Sequence, residues 1–447
     1  MSDATHDLTT GPVWRALARL SAPMTLGILA TLSVGLADAY FLGRIGPAPL
    51  AAVGFIYPVT AAVTSLSIGL SAGANATVSQ AIGKDRNPDR IGLHAVSLGV
   101  VLALVISGLM AVIHPWLFGL LGAGEATSRE IAAFMPWWCL SFPFLVVTMQ
   151  TMALFRAHGS SVAPAVLMTG AAILNIALDP LLIFGFDFGT AGAAMATFIA
   201  RAICAAAAVV YALRRGVLVW CGELTRDLGW SIRELASVGA PAALSNAINP
   251  AGMALVTAAV ATLGDAAVGG FGAATRVQQI ALVPMLALSS GIGPVVGQNW
   301  GADKPERAAR ALQAALAFCL GYGLAVGAIL ALGAGTFAGW LAGGTGAADH
   351  AATYMRIVGW SLFGYGFVVV ANAAMNARSR AGWSMLLSLG RIFAIYLPGA
   401  WLGVALLDFT GITLAAVTAN VMAAAAACVM ARHLGLLQPS ALRQTFA

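Results

Sequence analysis

Apolar residues run along this chain in blocks of about twenty or more, separated by Gly, Pro and short clusters of charge. A block of about that length is what a helix needs to cross the hydrocarbon core of a bilayer. The pattern predicts twelve such helices, near 15–42, 50–80, 91–115, 131–155, 162–186, 190–213, 236–263, 269–299, 309–333, 353–376, 382–406 and 411–431. No alternating strand pattern competes with them, so the expected fold class is all-α, membrane-embedded.

The pattern also repeats. Shifting the chain by 218 residues places Ala22-Pro23 on Ala240-Pro241, Gly46 on Gly264, Ser71 on Ser289, Gln80 on Gln298 and Asp85 on Asp303. A six-helix unit has been used twice, joined by the polar stretch 214–235, which divides the chain into an expected first lobe, 1–220, and a second, 221–447. An even number of helices per unit makes the copies parallel, and in such duplicated membrane proteins the substrate site tends to lie at the repeat interface. That is the arrangement of a transporter.

Composition agrees: 60% of residues are hydrophobic and 9% charged, with a mean hydropathy of +0.88, values foreign to a water-soluble domain. Nothing at the N-terminus reads as a removable signal peptide. Of the 23 Lys and Arg, only Arg44, Arg129 and Arg356 fall on one set of loops, whereas a set running from Arg15 to Arg443 falls on the other. Because basic loops stay cytoplasmic, both termini are expected inside a cytoplasmic (inner) membrane. Topology then accounts for the net charge of +6, and no nucleic-acid partner is needed. The five cysteines show neither a disulfide framework nor metal-ligand spacing, and no cofactor is expected.

One apolar block carries unexpected polarity. In NIALDP, residues 175–180, Asn175 and Asp179 stand four apart and share a helix face. Asp38 follows the uncharged run 20–37 in the first helix. Thr197 lies roughly 12 Å and Asp179 roughly 10 Å along their helices from the same membrane surface, at 1.5 Å per residue. The repeat supplies no counterparts, since Asp38 aligns with Val256, Asn175 with Ile395 and Asp179 with Gly399. An ionised carboxylate in the bilayer costs several kcal/mol unless it is paired, hydrated or protonated, so it reads as functional by default. Two carboxylates in one pocket titrate as a unit and can exchange a proton; equally, carboxylate, amide and hydroxyl oxygens can hold a bare Na⁺. A local structural role for either acid stays open. Pro180 cannot donate to the carbonyl of Ile176 and is expected to bend the helix beside Asp179, as a switch.

The stretches LADAYFLGRIGPAPLAAVGF, LNIALDPLLIFGFDFGTAGAAMAT and GQNWGADKPERA resemble the multidrug and toxic compound extrusion (MATE) transporters, over essentially the whole chain. The resemblance implies twelve helices in two pseudo-symmetric six-helix lobes and cation-coupled export of amphipathic, often cationic, drug-like compounds; a monomer is expected. It implies that Asp38, Asn175, Asp179 and Thr197 are the cation-coupling set, for H⁺ or Na⁺, as in the branch of DNA-damage-inducible exporters. Another bacterial branch keeps acids in second-lobe helices, whereas Asp265, Asp349 and Asp408 read here as loop residues.

Remaining polar groups are weaker candidates. Arg201, one turn beyond Thr197, is either a counter-ion to the acids or part of a wet cavity wall. Tyr40, Gln150, Asn246, Asn249, Gln278 and Asn372 line a substrate path or hydrogen-bond between helices. Arg276 and Arg391 are near enough to helix ends to snorkel. GLSAG at 69–73 spells a serine-hydrolase motif inside an apolar helix rich in small residues, and is read as chance; no enzyme is expected. The competing function is a flippase for a lipid-linked oligosaccharide, which would need several Arg or Lys in its cavity.

Overall fold

In lipid every backbone N–H and C=O must be satisfied within the protein, so each apolar block closes its own hydrogen bonds as a helix. The computed structural model describes residues 7–222, 225–342 and 345–437, and Arg443 lies outside them. Seven long helices come first: α1 (Val13–Ile45), α2 (Pro47–Gly83), α3 (Asp89–Leu120), α4 (Glu125–Ala157), α5 (Val162–Pro180), α6 (Gly189–Arg215) and α7 (Leu228–Ala261). Next, α8 (Asp265–Ala281) and α9 (Val283–Gly301) form one broken span bent by 44°. Then come α10 (Pro305–Leu332), the short α11 (Ala334–Ala342), α12 (Thr345–Val358), α13 (Leu362–Ala377), α14 (Ala381–Leu389) and α15 (Leu397–His433).

Ala381–His433 is a helical run of 53 residues, about 80 Å at 1.5 Å per residue and far too long for one crossing. It breaks at Leu407 and Asp408, where Asp408 has φ 51 and ψ −137. Gly403 and Gly411 then meet backbone to backbone: a Cβ built on Gly403 would stand 2.5 Å from the carbonyl oxygen of Gly411. Only a chain that turns back on itself brings these residues together. The run is two antiparallel spans, α12 with α13 is another, and the described residues therefore hold the twelve spans the apolar blocks predict.

The duplication is visible in backbone detail. Asp85 and Asp303 both have φ 54, and Gly159 (φ 82) matches Ser379 (φ 60) as Asp187 (φ 58) matches Asp408 (φ 51). Ser71 Oγ donates to the Met149 carbonyl at 3.3 Å, and Ser289 Oγ to the Val369 carbonyl at 3.1 Å.

Among the described residues the chain packs as two compact units, Pro23–Ala243 and Leu8–Ala22 with residues 244–437. The division falls inside α7, later than the 220/221 boundary read from the polar linker. The reason is local: the start of α7 packs with the first unit, where Leu235 is buried against Ala74, Ala95 and Ala153. Arg90 Nη1 also pairs with Asp227 Oδ2 at 2.9 Å, and His94 Nδ1 shares a hydrogen bond with Ser231 Oγ at 2.8 Å. In the second unit the equivalent place is taken by the segment before α1. Leu8 is fixed there by Gln298 Oε1 on its N–H at 3.1 Å and by Asn299 Nδ2 on its carbonyl at 3.0 Å, while Arg307 donates to the Gly11 carbonyl at 2.6 Å. The motif GQNWGADKPERA thus serves, in part, as a dock for residues 8–11.

Candidate cation site in the first unit

The first unit is organised around α4, which packs on α2, α3 and α6, with α5 laid against α6. Past Pro180 the α5 helix widens over Leu181–Gly185 into a π turn, closed by an i→i+5 bond from Phe186 N–H to the Leu181 carbonyl at 2.9 Å. Such turns concentrate at functional positions. The missing N–H of Pro180 loosens the α-helical ladder just before it. Gly192 of α6 faces this turn, and a Cβ there would stand 2.6 Å from the Leu182 carbonyl oxygen. Only a glycine lets α6 approach so closely.

Three side chains fasten α1 to this corner. Leu42 of α1, Ile183 of the π turn and Ala193 of α6 form one fully buried cluster. Each has a polar residue four positions away: Asp38 before Leu42, Asp179 before Ile183, Thr197 after Ala193. One helical turn is what separates i from i+4, so the apolar trio dictates a polar trio a turn below it.

The polar trio meets as that geometry requires. The carboxyl groups of Asp38 and Asp179 face each other closely enough for one to donate to the other once it carries a proton. As two carboxylates they hold acceptors only, and Asp38 Oδ1 together with both oxygens of Asp179 is buried without a partner. Asn175 Nδ2 donates to Thr197 Oγ1 at 3.2 Å, and Thr197 Oγ1 donates to the Ala193 carbonyl at 3.1 Å. That leaves Asn175 Oδ1 as a fourth buried acceptor with nothing to accept from. Asp179 is 0% exposed. Four buried oxygens without a donor form a place for a proton or a small cation, because burying polar groups unsatisfied costs free energy that a ligand recovers.

Arg201 does not fill that role as a bonded counter-ion. Its Nη1 donates to Ser141 Oγ of α4 at 2.8 Å, it makes no ion pair with the acids, and only its field reaches Asp38. Gln150 lies on α4 nine positions from Ser141, roughly 13 Å along the helix, fully buried with neither amide atom partnered. Tyr40 is 60% exposed, beside Phe41 and Arg44.

The other polar candidates belong to the second unit. Asn372 donates to Ser388 Oγ at 3.0 Å, Gln278 accepts from the Tyr354 hydroxyl at 2.9 Å, and Asn249 accepts from Arg391 Nη1 at 3.2 Å; Asn246 lies one turn before Asn249 on α7. Asp265, Asp349 and Asp408 are exposed, the first two in helices rather than in loops. Arg391 corrects the snorkelling expectation: it is 8% exposed and bonded inside the unit. Its distance from Arg380, the nearest basic residue of the loop, was the signal, being longer than a side chain reaches.

The MatE family model matches residues 23–181 and 241–402. The chain is 32% identical over 438 residues to the FAD transporter of Shewanella oneidensis, covering 96% of each protein. It is 26% identical over 297 residues to the multidrug export protein MepA of Staphylococcus aureus, covering 66% of each. The Vibrio cholerae MATE transporter VcmN in its bent form superposes with a TM-score of 0.89 at 28% identity, over 97% of this chain and 98% of that one. A MOP superfamily transporter of Pyrococcus furiosus shares the fold, with a TM-score of 0.91 at 22% identity over 97% and 99% of the two chains.

Proposed function

Because the chain belongs to the MATE family, we propose that it is a cation-coupled antiporter that exports amphipathic organic compounds across the cytoplasmic membrane, with both termini inside. The observation that carries this reading is the facing pair Asp38 and Asp179, whose buried oxygens lack any donor among the described residues. A proton shared between the two carboxyls, or a Na⁺ held by them with Asn175 Oδ1 and Thr197 Oγ1, removes the repulsion between like charges in a poorly solvated place. Loss of that ion restores it. The π turn after Pro180 is the element able to respond, since it lies beside Asp179 and its backbone bonds are already displaced from the α pattern. The set on α1, α5 and α6 supports membership of the branch of DNA-damage-inducible exporters.

The driving force is sufficient. One charge moving down 100 mV yields about 2.3 kcal/mol, and a tenfold gradient of cargo requires about 1.4 kcal/mol. Protein reconstituted in liposomes, with a pH gradient and a sodium gradient imposed separately, tests the coupling: one of the two must drive cargo movement, and transport indifferent to both ends the proposal.

Two cargo readings follow. The family resemblance and MepA favour drug-like cations. The match along nearly the whole chain to an FAD transporter, together with a buried arginine in the second unit, favours an anionic, nucleotide-like compound. Competition between ethidium and FAD for transport separates them.

A further inference from the structure

Arg391 sits on a second π turn, Gly390–Tyr396, ten residues into the run that begins at Ala381. At 1.5 Å per residue that is about 15 Å deep, near the middle of a hydrocarbon core about 30 Å thick. Every group bonded to its guanidinium is neutral. Nε and Nη2 donate to Asn420 Oδ1 at 3.3 and 3.0 Å, Nη1 donates to Asn249 Oδ1 at 3.2 Å, and the plane lies over the Tyr365 ring at 4.8 Å. The phenols of Tyr354 and Tyr396, which lie close to one another, are within its electrostatic reach. No carboxylate pairs with Arg391 among the described residues.

A buried arginine whose purpose is to join helices is normally neutralised, because an unpaired charge in the membrane interior is costly. Here two amides and an aromatic face hold the guanidinium rigid while leaving its charge intact. Three of its five N–H groups are used, so one remains on each terminal nitrogen, which is the pair a phosphate or carboxylate takes in bidentate fashion. Arginine recognises such planar or tetrahedral anions in preference to lysine.

We propose that Arg391, set by Asn249, Asn420 and Tyr365, is an anion-receiving subsite of the second unit that takes the phosphate or carboxylate of an amphipathic cargo. This rests on the reading of the chain as an exporter and names the class of its cargo. Lipid headgroups offer the same phosphate chemistry, but they lie at the membrane surfaces and not at this depth.

The test is equilibrium binding by flavin fluorescence, without any gradient, to purified protein in phosphatidylcholine nanodiscs. FAD and FMN carry phosphate and riboflavin does not. Arg391→Gln is expected to weaken FAD and FMN binding by about tenfold or more, the scale of one lost charge-assisted pair, and riboflavin binding by less than about twofold. Asn420→Asp, which keeps the shape and places a carboxylate against the guanidinium, should do the same; Arg391→Lys should fall between. Equal weakening of all three flavins would assign Arg391 a packing role and overturn the proposal. So would wild-type protein that binds FAD no better than riboflavin, or binds neither. An FAD advantage erased by including phosphatidylglycerol would assign the subsite to lipid, and likewise overturn it. Since no ion gradient is present, failure of the coupling proposal would leave this result untouched, and the reverse holds as well.

Discussion

The first unit gathers two carboxyl groups, three of whose oxygens are buried with no donor among the described residues; the second gathers one guanidinium that neutral groups orient but do not neutralise. Each centre has a π turn and a proline close by: Leu181–Gly185 follows Pro180 beside Asp179, and Gly390–Tyr396, which carries Arg391, ends two residues before Pro398. Both are mounted on helices descended from one duplicated unit, whose positive-φ aspartates and serine–carbonyl bonds still coincide. The shared features are those of packing, and the differing ones are charges. Duplication kept the scaffold and allowed opposite charge in its halves, two carboxyls in one and a guanidinium in the other.

The largest effect expected is from Asp179→Asn or Asp38→Asn, each of which leaves one carboxyl facing an amide. Counter-gradient uptake into liposomes should fall to the level of protein-free liposomes, while FAD binding at equilibrium stays within about twofold, the change expected when no contact to the ligand is lost. Uptake that survives either change would break the assignment of coupling to the first unit. Next, Thr197→Ala and Asn175→Ala each remove one hydrogen-bonding group from the site, about 1 kcal/mol. Uptake at limiting ion concentration should drop about three- to tenfold and recover as the ion is raised; a loss that no ion concentration restores would show a purely structural pair.

A smaller contrast is available between backbones. Gly192→Ala and Gly403→Ala both drive a Cβ into a carbonyl oxygen, at 2.6 and 2.5 Å, and each should cost about 1–3 kcal/mol of stability, the usual range for overpacking. Melting temperatures in detergent should fall comparably, but only Gly192→Ala, which displaces α6 from the π turn beside Asp179, should also slow transport. The smallest effect is a symmetry check. Ser71→Ala and Ser289→Ala each delete one interhelical bond to a carbonyl, about 1 kcal/mol, and Ser71→Ala also removes the acceptor of Arg156 Nη2 at 3.3 Å, so it should lower the melting temperature the more of the two, with transport unchanged; equal losses would show that the added Arg156 bond contributes nothing to stability.

Much of this was legible along the chain because a bilayer leaves few options. An apolar block of span length has to be a helix, and an acid inside it has to have a reason, so Asp38 and Asp179, with Asn175 and Thr197, stand out as candidates from the sequence. Arg391 did not, since sequence gives depth only along one helix, and the partners that hold it, Asn249 and Asn420, come from helices far away in the chain. The unit boundary escaped for the same reason: the linker is polar at 214–235, yet Leu235 at its end is buried in the first unit.

By itself, then, the sequence determined the helices, their number, the duplication and the identity of the membrane acids, all of which follow from local hydrophobicity and backbone hydrogen bonding. Tertiary structure alone decided that Asp38 faces Asp179, since the side chains of Leu42, Ile183 and Ala193 set the rotation of three helices about their own axes. It alone decided that Arg201 bonds to Ser141 and not to an acid, and that Arg391 is held by amides and left charged. Rotation and rotamer depend on what packs from elsewhere in the chain, and no local pattern encodes them.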